Sequence, residues 1–318
     1  MMKLSLAVGL RWCFLTGSLF VGCTGPPPSP GLSEQEPKAS PVQALREQGH
    51  RWLAKGDLGR AGEFFLSARR MAERLDDNPS LIGVLHDLGA VASGRGDGAS
   101  ELEYQMQALA IAQAYGNQAL LVESLTTLGA ARHRVGQPAA AEQLYRQALE
   151  LALRTEDRAA AAALRNNLGL LRLERGDPEQ AEALFRQALA LNEALGDGAG
   201  AASNHVNLGL AAERRQAYDA AEGEYLQALE SDKAAERQPE IAADLLRLGR
   251  VAGRQGFHDR TLDYSKRAYR SYSAQGNLLH ARSALAQAME AAERLGRKEE
   301  VLRLERELNG PAAVSRPR

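Results

Sequence analysis

A single glycine recurs at fixed spacing along most of the chain: Gly49, Gly89, Gly129, Gly169, Gly209 and Gly249, each 40 residues after the last. Leucine precedes it in five of the six cases, at Leu88, Leu128, Leu168, Leu208 and Leu248. A second glycine follows seven places later, at Gly56, Gly96, Gly136, Gly176, Gly256 and Gly296, with Gln216 the one gap. An alanine row lies beyond it (Ala68, Ala108, Ala148, Ala188, Ala228, Ala268), and an aromatic row stands three places before that at Phe65, Tyr145, Phe185 and Tyr225. In two repeats the aromatic slips back by one, to Tyr104 and Tyr264. Self-similarity at a period of 20 to 50 residues marks a repeat architecture, in which each unit buries its apolar face against its neighbours.

Each position has a physical job. Alanine, leucine, arginine, glutamate and glutamine, all good helix formers, dominate the repeats, and alternating β-branched stretches are scarce, so the fold class is all-α. The first glycine falls inside a helix, helix A, where it costs about 1 kcal/mol against alanine. Close approach of a second helix, helix B, offsets that cost. The second glycine ends helix A in a left-handed cap. Asp57, Asp97, Asp177, Pro138 and Pro178 then suit the start of helix B.

The pattern of Leu-Gly within helix A and an aromatic among alanines in helix B resembles the tetratricopeptide repeat. Segments such as LRNNLGLLRLERGDPEQAEALFRQALAL carry the likeness. The 40-residue period resembles the longer-helix subgroup found in kinesin light chains and bacterial peptide-sensing regulators. The resemblance implies a right-handed superhelical α-solenoid over residues 42–309, about six repeats plus C-terminal capping helices. Residues 278–295 form a seventh helix A in which Met289 replaces the glycine, residues 298–309 a charged capping helix, and residues 310–318 a frayed tail.

The N-terminal 41 residues read differently. Residues 1–22 have the form of a secretory signal: Lys3 and Arg11 are the only charges, and the apolar run after Arg11 is too short to span a bilayer. The run ends in Leu19-Phe20-Val21-Gly22-Cys23, which resembles the lipobox of bacterial lipoproteins, with Phe20 in place of the usual leucine. The resemblance implies cleavage before Cys23, acylation of its thiol (palmitate among the chains), and attachment to the cell envelope. Thr24 after the cysteine points to the outer membrane, facing the periplasm. Residues 23–41 are rich in Pro, Gly and Ser, lack apolar periodicity, and read as a disordered tether.

The resemblance also implies where a partner binds. Helices A line a concave groove, and the residue two before the helix A glycine faces it. That row reads Glu47, Asp87, Thr127, Asn167, Asn207, Arg247 and Gln287, all polar. A residue seven places later shares the helix face, giving Ala54, Gly94, Arg134, Glu174, Arg214, Arg254 and Arg294. Asn167 and Asn207 can offer donor and acceptor together to the backbone of an extended peptide, and the arginines suit carboxylates. The candidate peptide-binding groove is therefore Asp87, Thr127, Arg134, Asn167, Asn207, Arg214, Arg247 and Arg254, acidic early and basic late.

Other chemistry is not called for. The formal net charge of −1 gives no case for nucleic acid. The two cysteines, Cys13 and Cys23, lie outside the repeats, so no thiolate metal site or disulfide framework arises there. His50, His86, His133, His205, His258 and His280 show no paired metal spacing, and phosphate loops and nucleophile elbows are missing. Glu142 and Glu182 are expected on outer faces, paired with arginines four residues on. No cofactor, catalytic residue or small-molecule substrate is expected. The reading is a non-enzymatic, membrane-anchored adaptor that binds a protein or peptide, with assembly of an envelope complex as its expected setting. The alternative is a peptide-sensing receptor, which usually carries an output domain besides its repeats, and a third reading is an envelope protein that self-associates through its ends.

Overall fold

Start and stop signals recur not every 40 residues but every 20. Side-chain oxygens of Asp57, Asp77, Asp97, Asn117, Asp157, Asp177, Asp197 and Asn277 each accept a hydrogen bond from the backbone N–H three residues on, which satisfies one of the unpaired donors of a helix start. Left-handed residues close the helices at Gly56, Asp76, Gly96, Gly116, Gly136, Glu156, Gly176, Gly196, Gln216, Glu236, Gly256, Gly276 and Gly296, with φ between 51° and 83°. Helices A thus end mostly on glycine, whereas helices B alternate between glycine and an acidic residue.

The computed structural model describes residues 40–309, an unbroken run of fourteen α-helices with no strand among the described residues. Helices A are α1 (Pro41–Ala54), α3 (Asn78–Gly94), α5 (Gln118–Arg134), α7 (Arg158–Glu174), α9 (Gly198–Arg214), α11 (Gln238–Arg254) and α13 (Leu278–Arg294). Helices B are α2 (Leu58–Arg74), α4 (Gly98–Tyr115), α6 (Pro138–Arg154), α8 (Pro178–Leu195), α10 (Tyr218–Ala234), α12 (His258–Ala274) and α14 (Lys298–Asn309). The leader, Cys23 and the tail from residue 310 lie outside the described residues. The tether reading runs too far at its C-terminal end. Pro41 is the first residue of α1, where its fixed φ and missing N–H suit a helix start, and Ser40 caps that helix by accepting from the N–H of Gln43 at 3.1 Å. No described helix is long and apolar enough to cross a membrane.

Each helix packs on its sequence neighbours, and the backbones of α1, α3, α5, α7 and α9, and of α11 and α13, also approach one another in order, whereas successive B helices meet chiefly through long side chains such as Glu222 with Arg260 and Lys266 with Glu300. The A side is therefore the tighter, inner face of the array. The recurrent glycines explain the tightness within each pair. A Cβ on Gly129, Gly169 or Gly209 would come within 2.6, 2.5 and 2.5 Å of a ring carbon of Tyr145, Phe185 and Tyr225 respectively, and Phe65 fills the same place at Gly49. These four rings are at most 1% exposed and anchor the core. The two repeats with a displaced aromatic differ from expectation. Tyr104 and Tyr264 do not take the ring position. Gln105 stands against Gly89, and Ser265 stands against Gly249 with its Oγ buried and unpartnered.

Glu142 also departs from expectation: it is buried. Arg146 of its own helix reaches it, and so do Arg172 and Arg175 of the next helix A. Burial works to raise its carboxyl, but the three guanidinium groups outweigh that and hold it below the ordinary range. Glu182 with Arg215, Glu101 with Arg134 and Glu222 with Arg260 are similar bridges between repeats. Like the cores, they tie each repeat to the next.

Candidate functional site

The A-helix face is polar along its length, and the structure divides its residues into two kinds. Residues three and two before successive glycines lie 41 apart in sequence and meet across neighbouring A helices. Arg46 Nε donates to Asp87 Oδ2 at 2.7 Å, and His50 lies 3.3 Å from the other carboxylate oxygen. Thr127 Oγ1 lies 3.2 Å from His86 Nδ1, and Gln105 Oε1 lies 2.5 Å from the same nitrogen. Asn207 Nδ2 donates to Asn166 Oδ1 at 2.7 Å. Asp87, Thr127 and Asn207 therefore hold the array together. Burial of the His86 ring pushes its pKa down, which keeps it neutral in the fold.

The 41-residue rung fails where the earlier partner is unsuitable. Thr126 turns back to the carbonyl of Val122 at 2.7 Å, so it does not meet Asn167. Val206 offers no polar group, and Arg247 donates instead to Asp244 of its own helix at 2.9 Å. Of the predicted groove residues, Arg134 pairs with Glu101. Asn167, Arg214 and Arg254 make no side-chain hydrogen bond or ion pair among the described residues. These three keep unused hydrogen-bonding capacity on this face.

Two cavities open beside Asn167 and Arg254. The first, about 640 Å³, lies between α5 and α7 and is lined by His133, Arg134, Tyr145, Asn167 and Glu174. His133 Nε2 lies 2.6 Å from Glu174 Oε2 and closes one side. Burial pushes the Tyr145 phenol up to about 12, so it stays a donor at any ordinary pH. The second, about 620 Å³, lies between α11 and α13 over the first turns of α12, with Arg250, Arg254, Arg294, His258, Thr261 and Gln287 on its walls. Arg294 reaches only Glu290, at 4.0 Å. Arg250 is held by Glu213 at 2.7 Å. Burial disfavours the Arg250 charge, but the Glu213 carboxylate more than restores it and raises its pKa. Between the cavities, Tyr225 Oη donates to Glu213 at 2.6 Å, and burial raises that phenol as well.

The sequence reading put Asn167, Arg134, Glu174, Arg214, Arg254 and Gln287 on this face and did not single out their other neighbours. His133 and Tyr145 join Glu174 at the first cavity, and Arg250, His258 and Thr261 join Gln287 at the second. It also missed Arg46, His86 and Asn166, the partners one place earlier in each helix A. A search for polar pairs 41 apart, instead of single columns, would have found them. Glu47 meets only Gln43, at 3.4 Å. With Asp87 already neutralised by Arg46, the N-terminal end offers less free negative charge than the bare row implied.

Comparison with known proteins agrees with this architecture. The family model described as Tetratricopeptide repeat matches residues 120–194 and again 157–234. No curated protein sequence matches. Among solved structures, BtubC (BKLC) from P. vanneervenii is 22% identical, over 73% of this chain and 92% of that one, with a TM-score of 0.60. A Rap protein complexed with Competence and Sporulation Factor is 20% identical over 84% of this chain and 73% of that one, with a TM-score of 0.63. The apo form of the quorum sensor NprR from B. thuringiensis is 15% identical, over 84% and 75%, with a TM-score of 0.62. At these identities the likeness is one of fold. Residues 120–234 match the tetratricopeptide repeat, and the fourteen described helices share its fold of tandem helix pairs.

Proposed function

We propose that this protein is a non-enzymatic scaffold that holds an extended polypeptide along its A-helix face, and that Cys23 anchors it to a bacterial envelope membrane. The observation that carries the first half is the contrast between the locked and the free positions of one polar row. Asp87, Thr127 and Asn207 are used up within the array, whereas Asn167 and Arg254 each face a cavity of more than 600 Å³ with no partner of their own. An amide with both functions free suits a peptide backbone, and a free guanidinium suits a carboxylate. The bound segment therefore carries acidic residues toward α11–α13. The similar Rap structure was solved with a bound factor, and repeat solenoids in general present such surfaces.

Peptides selected on the full chain from a displayed random library provide the test. Asn167→Ala with Arg254→Ala is expected to weaken a selected peptide by about 100-fold, the loss of two buried polar contacts. Unchanged affinity would remove this surface from the proposal. Anchoring rests on the lipobox-like run ending at Cys23 and is tested separately. A clickable fatty acid fed to expressing cells should label the wild type and not Cys23→Ser, and equal labelling of both would refute it.

The alternative, a peptide-sensing receptor, uses the same face. It differs in requiring the array to change conformation on binding, which small-angle scattering with and without a selected peptide would reveal.

A further inference from the structure

The joint between α10 and α11 contains two buried carboxyl groups side by side. Asp232 is 2% exposed and Asp244 is fully buried. Arg237 reaches Asp232, and Arg247 donates to Asp244 Oδ1 at 2.9 Å. The second oxygen of Asp244 is buried with no donor from any other residue. An unsatisfied buried carboxylate oxygen carries a large desolvation penalty.

The repeat supplies its own control. Forty residues earlier, the same two positions hold Asn192 and Asn204, between α8 and α9. There the amide of Asn192 donates to Asn204 Oδ1 at 2.7 Å. Two aspartates in the same positions have acceptors only, and one hydrogen is missing. A proton on one carboxyl restores the hydrogen bond that the amide provides one repeat earlier.

We propose that Asp232 and Asp244 share one proton in the folded protein, which makes the packing of α10 on α11 a pH-sensitive joint, firm in mild acid and weakened above neutral pH. Burial is the main cause that pushes the Asp244 carboxyl up, to about 7. The Asp232 charge and hydrogen bond add to it, and Arg247 opposes it. The surrounding groups do not remove the effect. Arg237 is engaged by Asp232, and Arg247 already contributes. The Tyr272 phenol of α12 is raised by burial and stays neutral, and His280 of α13 stacks on that ring at 5.1 Å without reaching either carboxyl. A group that binds its proton more tightly folded than unfolded stabilises the fold when protonated. That contribution is complete below the ordinary carboxyl value of 3.8 and is lost as pH rises through the folded value. Arg247, whose position in the inner-face row depends on Asp244, lies directly on this joint.

The test uses the full chain and needs no ligand. Carboxyl-carbon NMR of the aspartate-labelled protein should show one resonance titrating near neutrality, absent from both Asp232→Asn and Asp244→Asn. The thermal midpoint of the wild type should fall by about 5 °C more than that of Asp244→Asn between mild acid and mild alkali. Every aspartate titrating in the ordinary acidic range would overturn the proposal, and so would parallel pH profiles for wild type and variant. The NMR titration of the unaltered protein decides the question even where neither variant folds.

Discussion

Gly169→Ala is expected to destabilise the array by about 2 kcal/mol, against a helix preference of about 1 kcal/mol in favour of alanine. The sign is set by geometry. The new methyl carbon would sit 2.5 Å from Phe185 Cε1. An ordinary carbon contact needs about 3.5 Å or more, so the ring must retreat by roughly 1 Å. Phe185 is fully buried among Ala181, Leu208 and Ala211 and has nowhere to go. Shortening the plug with Phe185→Leu should recover part of the loss in the double variant. Urea denaturation followed by circular dichroism checks both. A neutral or stabilising Gly169→Ala would mean that helix B can shift away from helix A without penalty, and that the periodic glycine is not there for close approach.

The second large effect is expected at Asn204, which is 1% exposed and joins three helices. It accepts from Asn192 at 2.7 Å and donates to Asn166 Oδ1 at 3.0 Å, while Asn207 donates to that same oxygen at 2.7 Å. Asn204→Ala leaves the Asn192 amide buried without its acceptor and opens a small cavity, a loss of about 2–3 kcal/mol. The preceding repeat shows the apolar solution, Ala152 against Leu164 at the same positions, both fully buried. Asn192→Ala with Asn204→Leu should therefore cost about 1 kcal/mol or less, because both partners are replaced together. Hydrogen exchange would place the single variant's loss in α8 and α9. In a linear array each repeat contacts only its neighbours, so distant helices should keep their protection.

The fold was legible because repetition multiplies weak signals. One Leu-Gly pair says little, whereas five in phase require an array. The helix A ends were readable for the same reason, since glycine marks a left-handed residue almost by itself. The helix B ends were half hidden. At positions 76, 156 and 236 the same backbone is held by Asp76, Glu156 and Glu236, residues that do not announce φ values of 51° to 56°. The ring position over Gly89 and Gly249 misled for a different reason. Tyr104 and Tyr264 looked like an aromatic displaced by one, but one place along a helix is a rotation of about 100°, which turns the ring off that contact.

The site was legible only as a row. Reading one column of the repeat identifies a face but not which members of it are spent. Arg46 with Asp87 and Asn166 with Asn207 pair at an offset of 41, across the seam between repeats, and no single repeat displays that pairing. Burial was also hidden: Glu142 has the spacing of a surface ion pair with Arg146, and only the next helix A covers it.

Site-specific photocrosslinking tests the claim that the A-helix face carries a bound polypeptide. A photoreactive residue placed at His133 or Gln287, beside the two cavities of the inner face, and at Arg146 or Arg186 on helices B, would be irradiated with a library-selected peptide bound to the full chain. The account predicts crosslinks from the inner-face positions and none above background from α6 and α8. Crosslinking through Arg146 or Arg186, with His133 and Gln287 silent, would contradict it.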